Sequence, residues 1–209
     1  MKSYLLSPLT VREVFLEKKI IFFSPFDFQR IFNASPQKTK YFLETYTRKG
    51  LFSRLKKGLY SLKNSSASDE VIANALYVPS YISMEYAMAR HGIIPESVFE
   101  ITSITTKPSR VFTFEEKNFS YCTIKKSAFT GYEMFENGIE KFLMADAEKS
   151  LIDYLYFVSL GKKSLSERID IRKLKRNKLK RYARLFNRPG LTKLTQEICS
   201  PENLLKKLQ

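Results

Sequence analysis

Apolar positions in this chain alternate between helical and strand spacing. From Leu9 onward, Leu9, Val11, Val14, Phe15 and Leu16 recur at roughly helical intervals and predict the first helix of a three-helix core. Ile20-Ile21-Phe22-Phe23 predicts a short buried strand or connection, of the kind that pairs with a later hairpin. Two helix starts follow. Ser24 and Ser35 are N-cap residues, and Pro25 and Pro36 each take the first helical position, where a missing N–H costs nothing. Phe28, Ile31 and Phe32 give the first of these helices its buried side. Thr39, Phe42, Leu43 and Tyr46 share one face of the second at ~100° per residue. Gly50 is a natural C-cap. After it, Leu51–Leu62 alternates around Lys56-Lys57-Gly58 and predicts a β-hairpin. Two short capped helices followed at once by a basic hairpin form a winged helix-turn-helix pattern.

The polar, small-residue stretch Leu62–Asp69 marks a boundary, giving residues 1–64 and 65–209 as the two domains. Beyond it, Ser68 or Asp69 caps a helix through Val71, Ile72, Ala75 and Leu76. Ser80 or Ser83 starts another, which runs to His91 and stops at Gly92. Strand spacing then takes over at Phe99–Thr106, Arg110–Phe114 and Phe119–Ile124, with Glu116-Lys117-Asn118 as the turn between the last two. Tyr132–Phe135 and Glu140–Met144 flank Asn137-Gly138 as a further hairpin. Asp146 caps a helix whose buried stripe is Leu151, Ile152, Leu155 and Val158; Glu148, Lys149 and Asp153 read as charges decorating it. The fold class is therefore α+β: a winged helix-turn-helix, then a mixed α/β domain with a helix and strand core (65–160) and a basic helical tail (161–209).

Charge changes what these elements are for. The chain of 209 residues carries a net +15, and the excess is segregated. Residues 1–64 hold 13 Lys and Arg against 4 acids, residues 65–160 hold 8 against 13, and residues 161–209 hold 15 against 4. Two basic segments flanking an acidic one point to a polyanionic partner, most plausibly nucleic acid. On the second capped helix, Gln37, Tyr41, Glu44 and Arg48 lie opposite the apolar face, with Lys38 and Lys40 on the flanks. Glutamine suits adenine edges, and lysine and arginine suit phosphates or guanine. The helix start at Ser35 adds backbone N–H groups for a phosphate. Arg54, Lys56 and Lys57 on the hairpin reach the backbone or minor groove. Glu44 stands out, because a carboxylate on such a face repels phosphate unless it reads a cytosine.

In the tail, a helix beginning at Ser166 or Asp170 is predicted through Ile171, Leu174, Leu179, Tyr182, Ala183, Leu185 and Phe186. Arg172, Lys173, Lys175, Arg176, Lys178, Lys180, Arg181 and Arg184 form a second basic patch on it. DNA phosphate, RNA, an acidic protein and the acidic middle of the same chain are its four candidate partners. Tyr182 and Phe186 read as core contacts, against a membrane-surface role. One or two closing helices are expected within Leu191–Leu208.

The lone His91 sits in a last helical turn, with no second histidine or nearby cysteine to complete a metal site or a triad. No catalytic residue, metal or cofactor is expected. Cys122 and Cys199 are the only cysteines, and no apolar run reaches the ~20 residues a bilayer span needs. The expectation is a cytoplasmic protein without a disulfide framework.

Several segments carry a family resemblance over roughly residues 10–160. They are Lys57-Gly58-Leu59-Tyr60, the run Tyr81–Pro95, Ile101–Thr106, Phe119-Ser120-Tyr121, Gly131-Tyr132 and Ala147–Asp153. In this order they resemble the AbiEi-type antitoxins, transcriptional regulators of type IV toxin–antitoxin and abortive-infection systems. The resemblance implies a DNA-binding antitoxin without enzymatic chemistry. Its first domain would bind inverted repeats in its own promoter, and its second would counter a nucleotidyltransferase-type toxin. An alternative is a stand-alone winged-helix regulator whose second domain senses or oligomerises. A restriction-like nuclease is a further reading, resting on Glu115-Glu116-Lys117, but no aspartate lies between Glu70 and Leu143 to supply the usual upstream metal ligand.

Overall fold

A computed structural model describes residues 6–63, 67–138 and 140–200. The chain is a mixed α+β protein that divides into two compact units, Met1–Ser68 and Asp69–Gln209. The predicted boundary residues 64–66 and the closing segment 201–208 lie outside the described residues.

In the first unit, α1 (Pro8–Glu17), α2 (Pro25–Phe32) and α3 (Pro36–Arg48) surround a small sheet of β1 (Phe22–Phe23), β2 (Phe52–Lys56) and β3 (Leu59–Leu62). The helix starts are as local chemistry dictates. Ser24 Oγ accepts the Asp27 N–H at 3.2 Å, and Asp27 returns a bond from the Ser24 N–H at 2.9 Å, a reciprocal capping box. Those bonds to Ser24 hold the Asp27 carboxyl below its ordinary range. Ser35 caps α3 through the Lys38 N–H. Asn33 ends α2 in the left-handed region at φ 50°, which lets the chain turn at once into the second cap. The expected strand pairs with the hairpin, Phe22 opposite Ser61 and Phe23 opposite Tyr60. Phe15, Phe23, Phe28, Phe32, Phe42, Phe52 and Tyr60 fill the core, with Phe15 and Phe23 ring centres 4.5 Å apart.

The second unit is a six-stranded mixed sheet in the order β6-β7-β5-β4-β9-β8. Its strands are β4 (Ser80–Ile82), β5 (Ile101–Thr105), β6 (Arg110–Phe114), β7 (Lys117–Thr123), β8 (Tyr132–Asn137) and β9 (Glu140–Ala145). Four longer helices join it: α4 (Asp69–Leu76), α6 (Ala147–Ser159), α7 (Arg176–Leu185) and α8 (Pro189–Ile198), with the shorter α5 (Met84–Arg90) between β4 and β5. Tyr81, Ile104 and Ala145 share a core with Leu151, Ile152 and Leu155 of α6 and with Leu179, Tyr182 and Phe186 of α7.

Four expectations need correction. Ser80 opens no helix: Ser80-Tyr81-Ile82 is the buried centre of the sheet, and the helix begins after the Ser83 N-cap. The turn between β6 and β7 is Glu115-Glu116, both at positive φ, so Lys117 and Asn118 belong to the strand. Val158 is only half-buried, whereas Glu148, Lys149 and Asp153, read as surface charges, are buried. The tail helix starts ten residues after Ser166, at Arg176. Ile169 and Ile171 are both buried, a spacing of two that an extended strand of chain satisfies and a helix cannot. The Asp170 N–H between them donates to Ile93 O at 2.7 Å, which fixes that segment out of helical geometry.

Candidate nucleic-acid interface

α3 is split lengthwise. Thr39, Phe42 and Leu43 are buried against the aromatic core. Ser35, Gln37, Lys38, Lys40, Tyr41, Glu44 and Arg48 are exposed, and Tyr41 reaches 71% exposure with no apolar neighbour to cover it. At ~100° per residue, Gln37, Tyr41, Glu44 and Arg48 fall within about 60° of one another. Lys40 lies to one side of that stripe and Lys38 to the other. Thr45 O and Thr47 O take the closing N–H of Lys49, and Arg48 Nε reaches Glu44 O at 3.4 Å.

The hairpin supplies a second group. Arg54 and Lys57 are exposed and Lys56 is half-buried. Register slips between Arg54 and Lys56, a bulge that lets Leu55 turn into the core while its neighbours stay outward. Gly58 at φ +81° makes the tight return behind Lys57. None of Lys38, Lys40, Arg48, Arg54 and Lys57 has an ion-pair partner among the described residues. All these predicted residues thus lie within the first unit, on one helix and one hairpin that follows it.

The basic patch of the second unit is less uniform. Arg176, Lys178, Lys180, Arg181 and Arg184 are on α7, whereas Arg172, Lys173 and Lys175 precede it in turns. Arg172 is engaged with Asp170, Nη2 to Oδ2 at 2.7 Å, and those bonds raise the guanidinium pKa further. Lys178 bridges Glu148 Oε2 at 2.9 Å and Asp146 Oδ2 at 3.1 Å. Burial pulls Lys178 down, but the two carboxylates outweigh it and its pKa stands above the ordinary value. Glu148 also accepts the Lys175 N–H at 3.0 Å. Burial pushes the Glu148 carboxyl up, yet the bonds from Lys175 and Lys178 win and lower it overall. Tyr182 donates to Asp146 at 2.6 Å; burial first, then that bond, pushes its hydroxyl up to about 12. Part of the predicted patch therefore clamps α7 onto the start of α6. Lys173, Lys175, Arg176, Lys180, Arg181 and Arg184 remain exposed, and Lys175, Arg176, Asn177, Lys178 and Arg181 line a shallow cleft.

Beneath this lies a group that sequence spacing does not reveal. Lys149 and Asp153 are fully buried and paired across one turn of α6. Asp153 Oδ2 accepts from Ser83 Oγ at 2.7 Å and Tyr81 Oη at 3.0 Å. The Lys149 ammonium also faces the rings of Phe186 and Tyr81 at 5.0 and 5.5 Å. Burial lowers the Lys149 pKa and raises that of Asp153, and the pair's mutual attraction opposes both shifts. Every polar atom of the pair is engaged inside a packed core, so the arrangement fastens α6, β4 and the turn into α5. An i,i+4 Lys–Asp spacing has the same appearance on a solvated helix, and only the neighbouring strand makes this one internal.

His91 Nε2 lies 2.8 Å from Ala145 O and ties the end of α5 to β9. The Glu115-Glu116-Lys117 triplet sits at a turn, and Lys117 Nζ bonds Asp69 Oδ2 at 2.6 Å. No group of three or more His, Cys, Asp or Glu among the described residues is placed to hold a metal ion. No helix among the described residues is long and apolar enough to cross a membrane. Comparison with known proteins adds no assignment: no family model matches the chain, and no curated protein matches it.

Proposed function

We propose that the chain is a DNA-binding regulator whose first unit is a winged helix, with α3 as its recognition helix and the β2–β3 tip as its wing. The observation that carries this reading is the split of α3. A stripe of hydrogen-bonding side chains faces outward between unpaired lysines, and Arg54 and Lys57 on the following hairpin add further unpaired charge. A helix so built fits the major groove, its stripe on base edges and its flanks on the phosphates of either strand. The proposed setting comes from the resemblance to AbiEi-type antitoxins: the protein represses its own promoter by binding repeats there and counters a nucleotidyltransferase-type toxin through the second unit.

Footprinting on the DNA upstream of its own coding sequence tests the first half. Protection of a repeated element is expected, and binding there no tighter than to random duplex would overturn it. Co-expression with a nucleotidyltransferase encoded beside it tests the second half. Rescue of growth is expected. No rescue, or no such neighbouring gene, would leave a stand-alone regulator.

A further inference from the structure

The outward stripe of α3 contains one residue that the general affinity of a basic surface for DNA does not explain. Glu44 is exposed, and no cation pairs with it among the described residues, although Lys40 and Arg48 stand four positions to either side. It lies on the midline with Gln37, Tyr41 and Arg48, opposite Thr39, Phe42 and Leu43. The flanking lysines, not this midline, are the ones placed toward phosphates. A carboxylate there meets base edges or nothing.

We infer that Glu44 is a specificity-determining residue that makes recognition depend on a cytosine near the middle of the site. The inference rests on the DNA-binding reading above. An ionised carboxylate only accepts hydrogen bonds. In the major groove guanine offers two acceptors, and thymine an acceptor and a methyl group. Adenine offers its amino group beside the N7 acceptor, which repels a carboxylate. Cytosine offers an amino donor, the partner that glutamate takes. From Gln37 to Arg48 the stripe runs about 16 Å at 1.5 Å per residue, some four to five base-pair steps. Glu44 falls past its middle, so its base pair lies inside the stretch that the stripe reads. Against any other base, and against non-specific backbone, the same charge is repelled, so it discriminates twice.

The test is selection from a pool of duplexes with a randomised central stretch, using the full chain and its Glu44→Ala and Glu44→Gln variants. The wild type is expected to recover a site with one C·G column favoured about tenfold or more. Glu44→Ala loses that column alone and binds unselected duplex about two- to five-fold more tightly. Glu44→Gln moves the column toward adenine, whose N6 and N7 match an amide. A wild-type site whose columns are all unchanged in Glu44→Ala overturns the inference and leaves the DNA-binding reading standing. A wild type that enriches no site and binds no duplex overturns both.

Discussion

Lys149 and Asp153 each have 0% side-chain exposure, and each would be an uncompensated buried charge without the other. Lys149→Ala is expected to destabilise the second unit by about 3–5 kcal/mol, the cost of stranding a buried partner. The joint change Lys149→Met with Asp153→Leu should cost clearly less, because no charge is left unpaired. Urea unfolding of both variants, followed by hydrogen exchange in α6, measures this; equal losses would contradict the pairing. Gly131 makes a second residue-scale point. Its φ is +79°, and a Cβ there would lie 2.7 Å from Tyr182 Cζ. Gly131→Ala should cost about 1–3 kcal/mol through backbone strain and displacement of that ring. An unchanged melting temperature would contradict it. Neither constraint is readable along the chain, since both depend on residues far apart in sequence. By contrast, Ser24-Pro25 and Ser35-Pro36 could be read directly, because a cap is made within three residues.

At the scale of elements, α7 is clamped to α6 by Asp146 and Glu148. The Glu148 carboxyl is held below its ordinary value. Its contribution is therefore fully present above the unfolded-state value of about 4.3 and is lost as pH falls through the lower folded-state value. Lys178 stands above its ordinary value, so its share is present below about pH 10.4 and fades above the raised folded-state value. Hydrogen exchange in α7 should thus accelerate on acidification below about pH 4. Glu148→Gln should raise α7 exchange at neutral pH and remove that acid dependence; an identical acid profile would contradict the clamp. The elements that sequence spacing identified best were long or capped: α2, α3, α6 and both hairpins. Three-residue β4 is too short for a period to be counted, and its Ser80 looks like a cap. The start of α7 was obscured because Ile171 and Leu174 fit a helical spacing, while buried Ile169 breaks it.

At the scale of the whole molecule, the two basic segments have different fates. In the tail, acids of the middle segment engage Lys178 and the Lys175 backbone, one of the alternatives that the charge pattern left open. In the first unit no such neutralisation occurs at Lys38, Lys40, Arg48, Arg54 or Lys57, although charge counts alone give both segments the same reading. The segregation of charge was legible in sequence; which charges are already satisfied was not, because that depends on which helix ends meet. The central claim is that the free cations of α3 contact DNA phosphates, and the salt dependence of binding tests it most directly. The dissociation constant for the selected duplex is measured by fluorescence anisotropy over a range of salt, for the wild type and for the triple variant Lys38→Ala, Lys40→Ala, Arg48→Ala. The account predicts much weaker binding by the variant, with a log–log salt slope shallower by about 2 to 3, near 0.9 per lost phosphate contact. Equal affinity and an equal slope would contradict it.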